Sequence, residues 1–217
     1  MILEVCISKK LRDFTLQAEF VLNEGTLGLM GSSGSGKSML LKCLAGIETP
    51  DIGRIVLNSK VLFDSQQKIN LIPQKRSIGY LFQSYALFPN MSVLENILCG
   101  MQIQNLAKKE AVKQAELLLD KFKLRDLAAS YPRQLSGGQK QRTALARLLA
   151  SKPQVILLDE PFSALDTDLK EELHLELAKV LAEYGKIAVL VSHDRQEVMK
   201  LSEKMFVIKQ GVLQKDG

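Results

Sequence analysis

One eight-residue stretch, Gly31-Ser32-Ser33-Gly34-Ser35-Gly36-Lys37-Ser38, constrains the fold more than any other part of the chain. It satisfies G-x-x-x-x-G-K-[ST] and follows an apolar run, Thr26 to Met30, that reads as a strand. The segment from Lys37 to Leu44 then reads as a helix, closed by Gly46 with Pro50 beyond it. Strand, tight turn and helix in direct succession are the context the pattern requires. Glycines let the backbone curl so that successive N–H groups point inward, and the helix turns its positive end to the same point. Lys37 adds a full charge. Ser38 brings a hydroxyl suited to Mg2+, an ion that prefers oxygen ligands and bridges two outer phosphates. Residues 31–38 are therefore predicted to hold a nucleoside triphosphate. The plainer reading is a flexible Gly/Ser linker, but a linker has no reason to end in Gly-Lys-Ser and run straight into an apolar helix.

Two later apolar runs, Val155-Ile156-Leu157-Leu158-Asp159 and Ile187-Ala188-Val189-Leu190-Val191, read as strands covered on both faces of a parallel sheet. Between them Leu169, Leu173, Leu177, Val180, Leu181 and Tyr184 make one helical stripe. This alternation predicts an α/β fold. Residues 2–30 predict short strands and turns, with breaks at Lys9-Lys10 and Asn23-Glu24-Gly25. In the middle of the chain Ala111, Ala115, Leu118, Leu119 and Phe122 fall at helical spacing, and Ser92-Val93-Leu94-Glu95 has the spacing of a capping box. The expected organisation is one domain over 1–217: 1–84 and 152–217 form the core with its β part, and about 85–151 form a helical lobe.

With 46% hydrophobic residues, 217 residues can bury a core without disulfides or metal. Cys6, Cys43 and Cys99 are odd in number and form no C-x-x-C pair, which suggests neither a disulfide framework nor a zinc site and fits a reducing cytosol. No apolar stretch reaches about 18 residues, and no basic segment precedes an apolar run at the start, so the expectation is a chain neither secreted nor membrane-spanning. The formal charge of +5 is scattered among 24 acidic residues, an ordinary solvated surface that predicts no nucleic-acid partner.

Asp159-Glu160 stands at the carboxyl end of an apolar strand, where ligands of open α/β sheets sit. Asp159 would hold the magnesium shell and Glu160 would orient or deprotonate an attacking water, a division of labour that phosphoryl transfer to water requires. An acidic strand end that merely caps the next loop is the alternative. Leu135-Ser136-Gly137-Gly138-Gln139 precedes a helix-forming run to Ala150. Alone it is a well-capped helix start, whose glycines leave backbone N–H groups facing outward and able to hold another anion. His193, ending a strand before the N-cap-like Asp194, reads alone as structural, and His174 among helical acids as solvated.

Taken in order, these segments, with Gln83 in Tyr80-Leu81-Phe82-Gln83, Ser163-Ala164-Leu165-Asp166 and Val191-Ser192-His193-Asp194, resemble the ATP-binding cassette family along essentially the whole chain. The resemblance implies a phosphate-loop NTPase core with a mixed, partly parallel sheet, an N-terminal antiparallel β part and an inserted α-helical lobe. It implies an ATPase with ATP and Mg2+ as cofactors, and a Gln83 that links the lobes and joins the magnesium and water shell with Ser38 and Asp159. His193 becomes a switch that contacts the terminal phosphate, and Asp166 a contact coupling two sites. Family members act head to tail, so the phosphates on residues 31–38 of one subunit meet the Ser136, Gly137, Gly138 and Gln139 signature of its partner, in a homodimer or paired cassette. One departure stands at Ser8 to Phe14, where many relatives offer an aromatic ring to adenine: only Phe14 is aromatic, with Arg12 the other candidate.

The sequence carries no coiled-coil insert, zinc module, second cassette or fused spanning helices, which within the family leaves a separate importer subunit. Ser84 to Val93 resembles the surface that receives a short helix from a membrane subunit, with core packing the alternative for Leu87 and Phe88. Arg54–Asn58, Val61–Asp64, Pro73–Arg76 and Gly79–Pro89 resemble molybdate, tungstate or sulfate importer cassettes, implying an oxyanion cargo. Ferric iron or polyamine importers and a soluble non-transport cassette ATPase are the alternatives. Cargo need never touch such a subunit. The implied partners are integral membrane permease subunits and, indirectly, an extracytoplasmic binding protein; the implied location is cytoplasmic, peripheral on the inner face of the cell membrane. Many relatives continue into a cargo-sensing β domain; with Lys215-Asp216-Gly217 last here, cargo feedback is not expected unless another subunit supplies it or the chain is a piece of a longer one.

Overall fold

The computed structural model describes residues 1–104, 106–163 and 167–215. The chain opens with β1 (Leu3–Lys10), β2 (Thr15–Leu22) and β3 (Gly25–Met30), then α1 (Lys37–Ala45). Next come β4 (Ile52–Leu57), β5 (Lys60–Asp64), β6 (Ile69–Asn70) and β7 (Ile78–Leu81). Three helices follow, α2 (Val93–Gly100), α3 (Lys108–Lys121) and α4 (Gly137–Ala150). The last part holds β8 (Val155–Asp159), α5 (Thr167–Tyr184), β9 (Ile187–Val191), α6 (Arg195–Leu201), β10 (Lys204–Lys209) and β11 (Val212–Lys215).

The described strands form one mixed sheet in the order β6-β5-β4-β1-β2-β11-β10-β3-β9-β8-β7. At one end β1, β2, β4, β5 and β6 pair antiparallel; at the other β10, β3, β9, β8 and β7 run parallel. β11 joins the two halves, antiparallel to β10 and parallel to β2. Lys9-Lys10 does not break β1 as the sequence suggests: Lys9 pairs with Leu16 and Lys10 with Thr15, and the turn falls beyond them. The reason is that both residues find partners outside the ladder, Lys9 through its ammonium and Lys10 through its backbone N–H. Lys9 donates to the Thr49 carbonyl at 2.8 Å, and the Lys10 N–H donates to Asp51 at 2.6 Å.

Side-chain alternation in β8 and β9 explains why both read as unbroken apolar runs. Val155, Leu157, Ile187, Val189 and Val191 pack on one face with Leu40, Leu41 and Leu44 of α1. Ile156, Leu158, Ala188 and Leu190 pack on the other with residues of α2 to α5. Each large side chain so buried stabilises the fold by about 1.5–3 kcal/mol relative to exposure. No described residue between β7 and β8 is in a strand; α2, α3 and α4 fill that insertion. Ser92 caps α2 with the reciprocal Glu95 contact its spacing predicts, and α3 buries Ala115 and Leu119. In α5, Leu173, Leu177 and Val180 are buried. The arrangement brings three loop ends together: β3 to α1, β8 to α5, and β9 to α6.

Candidate functional site

The phosphate loop owes its shape to two glycines. Gly36 is the residue before α1, at a left-handed φ of 104°. Gly31 has φ 153°, and a Cβ there would lie 2.7 Å from the Ile208 carbonyl oxygen; side chains are strained or excluded at both. No side chain caps α1 and no acid stands in its first turn, so the unpaired N–H groups that begin every helix remain for a ligand. Lys37 is 5% exposed, yet its ammonium meets no carboxylate among the described residues; it donates to the carbonyls of Gly31 at 2.8 Å and Ser32 at 2.9 Å. Burial lowers its pKa, with Glu160 and Asp159 pulling the other way. Ser35 Oγ is buried with no hydrogen-bond partner among the described residues. A cradle with an orphaned hydroxyl, a desolvated cation and an open helix start fits a phosphate chain.

Ser38 Oγ donates to Asp159 Oδ1 at 2.9 Å, and the Tyr80 hydroxyl donates to Oδ2 of the same carboxylate at 2.7 Å. Burial first, then that hydrogen bond, push the Tyr80 pKa up, so Tyr80 stays a donor at every ordinary pH. Among the described residues no group of three or more His, Cys, Asp or Glu could cage a metal. One hydroxyl beside one carboxylate is instead the sparse oxygen set that suits Mg2+, which takes its other ligands from phosphate and water.

Glu160 lies at φ 45°, an uncommon place for a residue with a side chain. Its N–H donates to the Val191 carbonyl at 2.9 Å, and Ser163 Oγ donates to its carbonyl at 3.1 Å; together they hold the bend. Its Oε2 stands 3.4 Å from His193 Nδ1 and 3.5 Å from Gln83 Nε2. The ends of β7, β8 and β9 thus converge on one carboxylate. Behind Gln83, Tyr85 and Ala86 have left-handed φ values of 61° and 45°. Arg147 of α4 donates to their carbonyls at 2.8 and 2.7 Å. Leu87 is half-buried and Phe88 is 44% exposed under Arg147, so Phe88 is not a core residue.

Ser136 begins α4 with the reciprocal contact its spacing predicts: its Oγ accepts from the Gln139 N–H at 3.3 Å, and Gln139 Oε1 accepts from the Ser136 N–H at 2.8 Å. Two of the amides at this turn are therefore occupied, leaving those of Gly137 and Gly138. No hydrogen bond or ion pair among the described residues joins residues 136–139 to residues 31–38. Asp166 lies outside the described residues. Phe14 packs beside the loop, its ring 3.5 Å from where a Cβ on Gly36 would sit, while Arg12 is exposed. His174 is not solvated as its acidic neighbours suggest: its ring is buried edge-on to Phe162, centroids 4.1 Å apart. It sits beside Leu173 on the buried side of α5. Tyr80 escaped the sequence reading, because only the pairing of Tyr80 with Leu157 shows that it shares a face with Asp159.

A mixed sheet whose parallel half carries a phosphate loop, with a helical insertion before the acidic strand, defines the fold of an ATP-binding cassette. The chain belongs to the ABC transporter family, whose model matches residues 16–163. It is 41% identical over 214 residues to the sulfate/thiosulfate import ATP-binding protein of Synechocystis sp., covering 97% of this chain and 59% of that protein. It is 43% identical over 191 residues to a probable sulfate/thiosulfate import ATP-binding protein of Chlorella vulgaris, covering 88% and 78%. A spermidine/putrescine import ATP-binding protein of Pseudomonas aeruginosa is 41% identical, covering 94% of this chain and 56% of that protein. The chain thus spans less than two thirds of the first of these relatives. A solved dimeric ATP-binding cassette in a post-hydrolysis state, bound to ADP and Pi, superposes with a TM-score of 0.80 at 30% identity, covering 99% of this chain and 98% of that one.

Proposed function

We propose that this chain is the ATP-binding and ATP-hydrolysing subunit of an ABC importer, working as a head-to-tail pair on the cytoplasmic face of the membrane. The observation that carries the reading is the convergence of Gln83, Glu160 and His193, three strand ends meeting within 3.5 Å contacts beside the phosphate loop. Residues 31–38 hold the phosphates through loop amides, the start of α1 and the Lys37 ammonium. Ser38 and Asp159, with Gln83, would hold Mg2+, which would neutralise charge on the outer phosphates. Tyr80 fixes the Asp159 carboxylate for that task. Glu160 accepts a proton from the attacking water, Gln83 orients that carboxylate, and His193 contacts the terminal phosphate.

The Ser136–Gln139 turn of a partner completes each site, Asp166 couples the two, and the helical insertion receives the permease near Ser84 to Val93. Phe14 is the better placed candidate for stacking on adenine. Relatives named for sulfate/thiosulfate import favour an oxyanion cargo, and a polyamine is the second reading, carried by spermidine/putrescine relatives of like identity. Among the described residues no helix is long and apolar enough to cross a membrane, which agrees with spanning helices supplied by separate subunits. ATP turnover tests the reading directly. Glu160→Gln should lower phosphate release at least about 100-fold while ATP affinity stays within about threefold; turnover near the wild-type rate would overturn the role of Glu160.

A further inference from the structure

Glu197 of α6 is 3% exposed, the most deeply buried acid among the described residues. An acid is kept so far from water only where charge and hydrogen bonds compensate it. Its Oε2 accepts the Ser192 hydroxyl at 2.5 Å, and that same Ser192 Oγ accepts the Asp194 N–H at 3.0 Å. Its Oε1 is ion-paired with Lys170 of α5 and faces His174 Nε2 at 3.7 Å. Lys170 also reaches Asp194 Oδ2 at 3.6 Å. The His174 ring in turn stands edge-on to Phe162, two residues after Glu160. One buried carboxylate therefore gathers both neighbours of His193 and, through α5, the segment that carries Glu160. Capping does not explain it, because Asp194 already accepts the first amides of α6.

We infer that Glu197 is a positioning residue for hydrolysis: its carboxylate sets the Ser192–Asp194 turn and ties it through Lys170 to α5, so that His193 is presented to Glu160. This rests on the ATPase reading above. A four-protein cycle tests it, measuring ATP turnover against ATP concentration for the full chain, Glu197→Gln, His193→Ala and the double variant. Glu197→Gln keeps the side chain's shape and its capacity to accept from Ser192 but removes the charge that Lys170 pairs with. It should lower kcat about tenfold with KM within about twofold, and His193→Ala should lower kcat at least as much. In the His193→Ala background the same change should alter kcat by less than about twofold, because effects relayed through one residue do not add.

A tenfold loss in both backgrounds overturns the inference, as does an unchanged kcat in Glu197→Gln or in His193→Ala. Should Glu197→Gln lose its cooperative thermal transition, Lys170→Met takes its place in the cycle, leaving the Ser192 contact intact, and must give the same pattern. A wild-type chain without ATP turnover would instead overturn the parent reading, an outcome seen before any variant is compared.

Discussion

Lys37 shows what the site demands of a single residue. Its ammonium is buried against two backbone carbonyls with no carboxylate partner among the described residues, so the ligand-free protein holds a desolvated charge. The folded-state pKa lies below 10.5. Stability therefore rises with pH only in the window between that lowered value and 10.5, where the unfolded chain binds the extra proton; below it both states are protonated and the penalty is constant. Lys37→Met should stabilise the ligand-free protein by about 1 kcal/mol and weaken ATP binding at least about 30-fold. Thermal melts with and without Mg-ATP check both halves: the variant should melt higher alone and fail to respond to nucleotide. Residues 31–38 were legible because the pattern is local, with every constraint inside eight positions. The Tyr80–Asp159 contact depends on strand register, and the burial of His174 on which face of α5 meets Phe162, so neither has a local signature.

At the scale of elements, α1 is fixed at both ends. Its start forms the cradle; its end is held by Arg76, fully buried, whose guanidinium donates to the Cys43 and Leu44 carbonyls at 2.9 and 3.0 Å and to Leu71 and Asn70 at 2.8 Å. A cation also suits the negative end of the helix dipole. Gly46 closes the helix at φ 79°, and a Cβ there would lie 2.4 Å from Arg76 Nε, so helix stop and arginine fit as one device. Arg76→Met removes the donor to the Leu44 and Leu71 carbonyls, while Cys43 keeps the Gly46 N–H, and should destabilise the fold by about 3 kcal/mol, read as a lower urea midpoint with unchanged slope. A change under about 0.5 kcal/mol would contradict it. The stop at Gly46 was visible in the sequence. Arg76 was not, since it reaches α1 only through the β6–β7 connection. The β10–β11 hairpin likewise went unread; its left-handed Gln210-Gly211 turn matters only once β11 is seen to bridge β10 and β2.

At the scale of the molecule, the chain carries two segments suited to an anion that do not meet. The phosphate loop, Asp159 and Glu160 lie at the carboxyl ends of the parallel strands, while the Ser136–Gln139 turn opens α4 within the helical insertion. The order of these segments was legible; that they would meet across a pair is what the family resemblance implies, because no local pattern encodes a partner. On the proposed head-to-tail reading two chains are needed for one complete site, and bound ATP should act as the link between them, with hydrolysis releasing it. Light scattering on purified Glu160→Gln tests this most directly. The variant should pass from monomer to dimer on adding Mg-ATP, with Lys37→Ala in the same background abolishing the change. A Glu160→Gln chain that binds Mg-ATP yet remains monomeric at high concentration would contradict the head-to-tail pair.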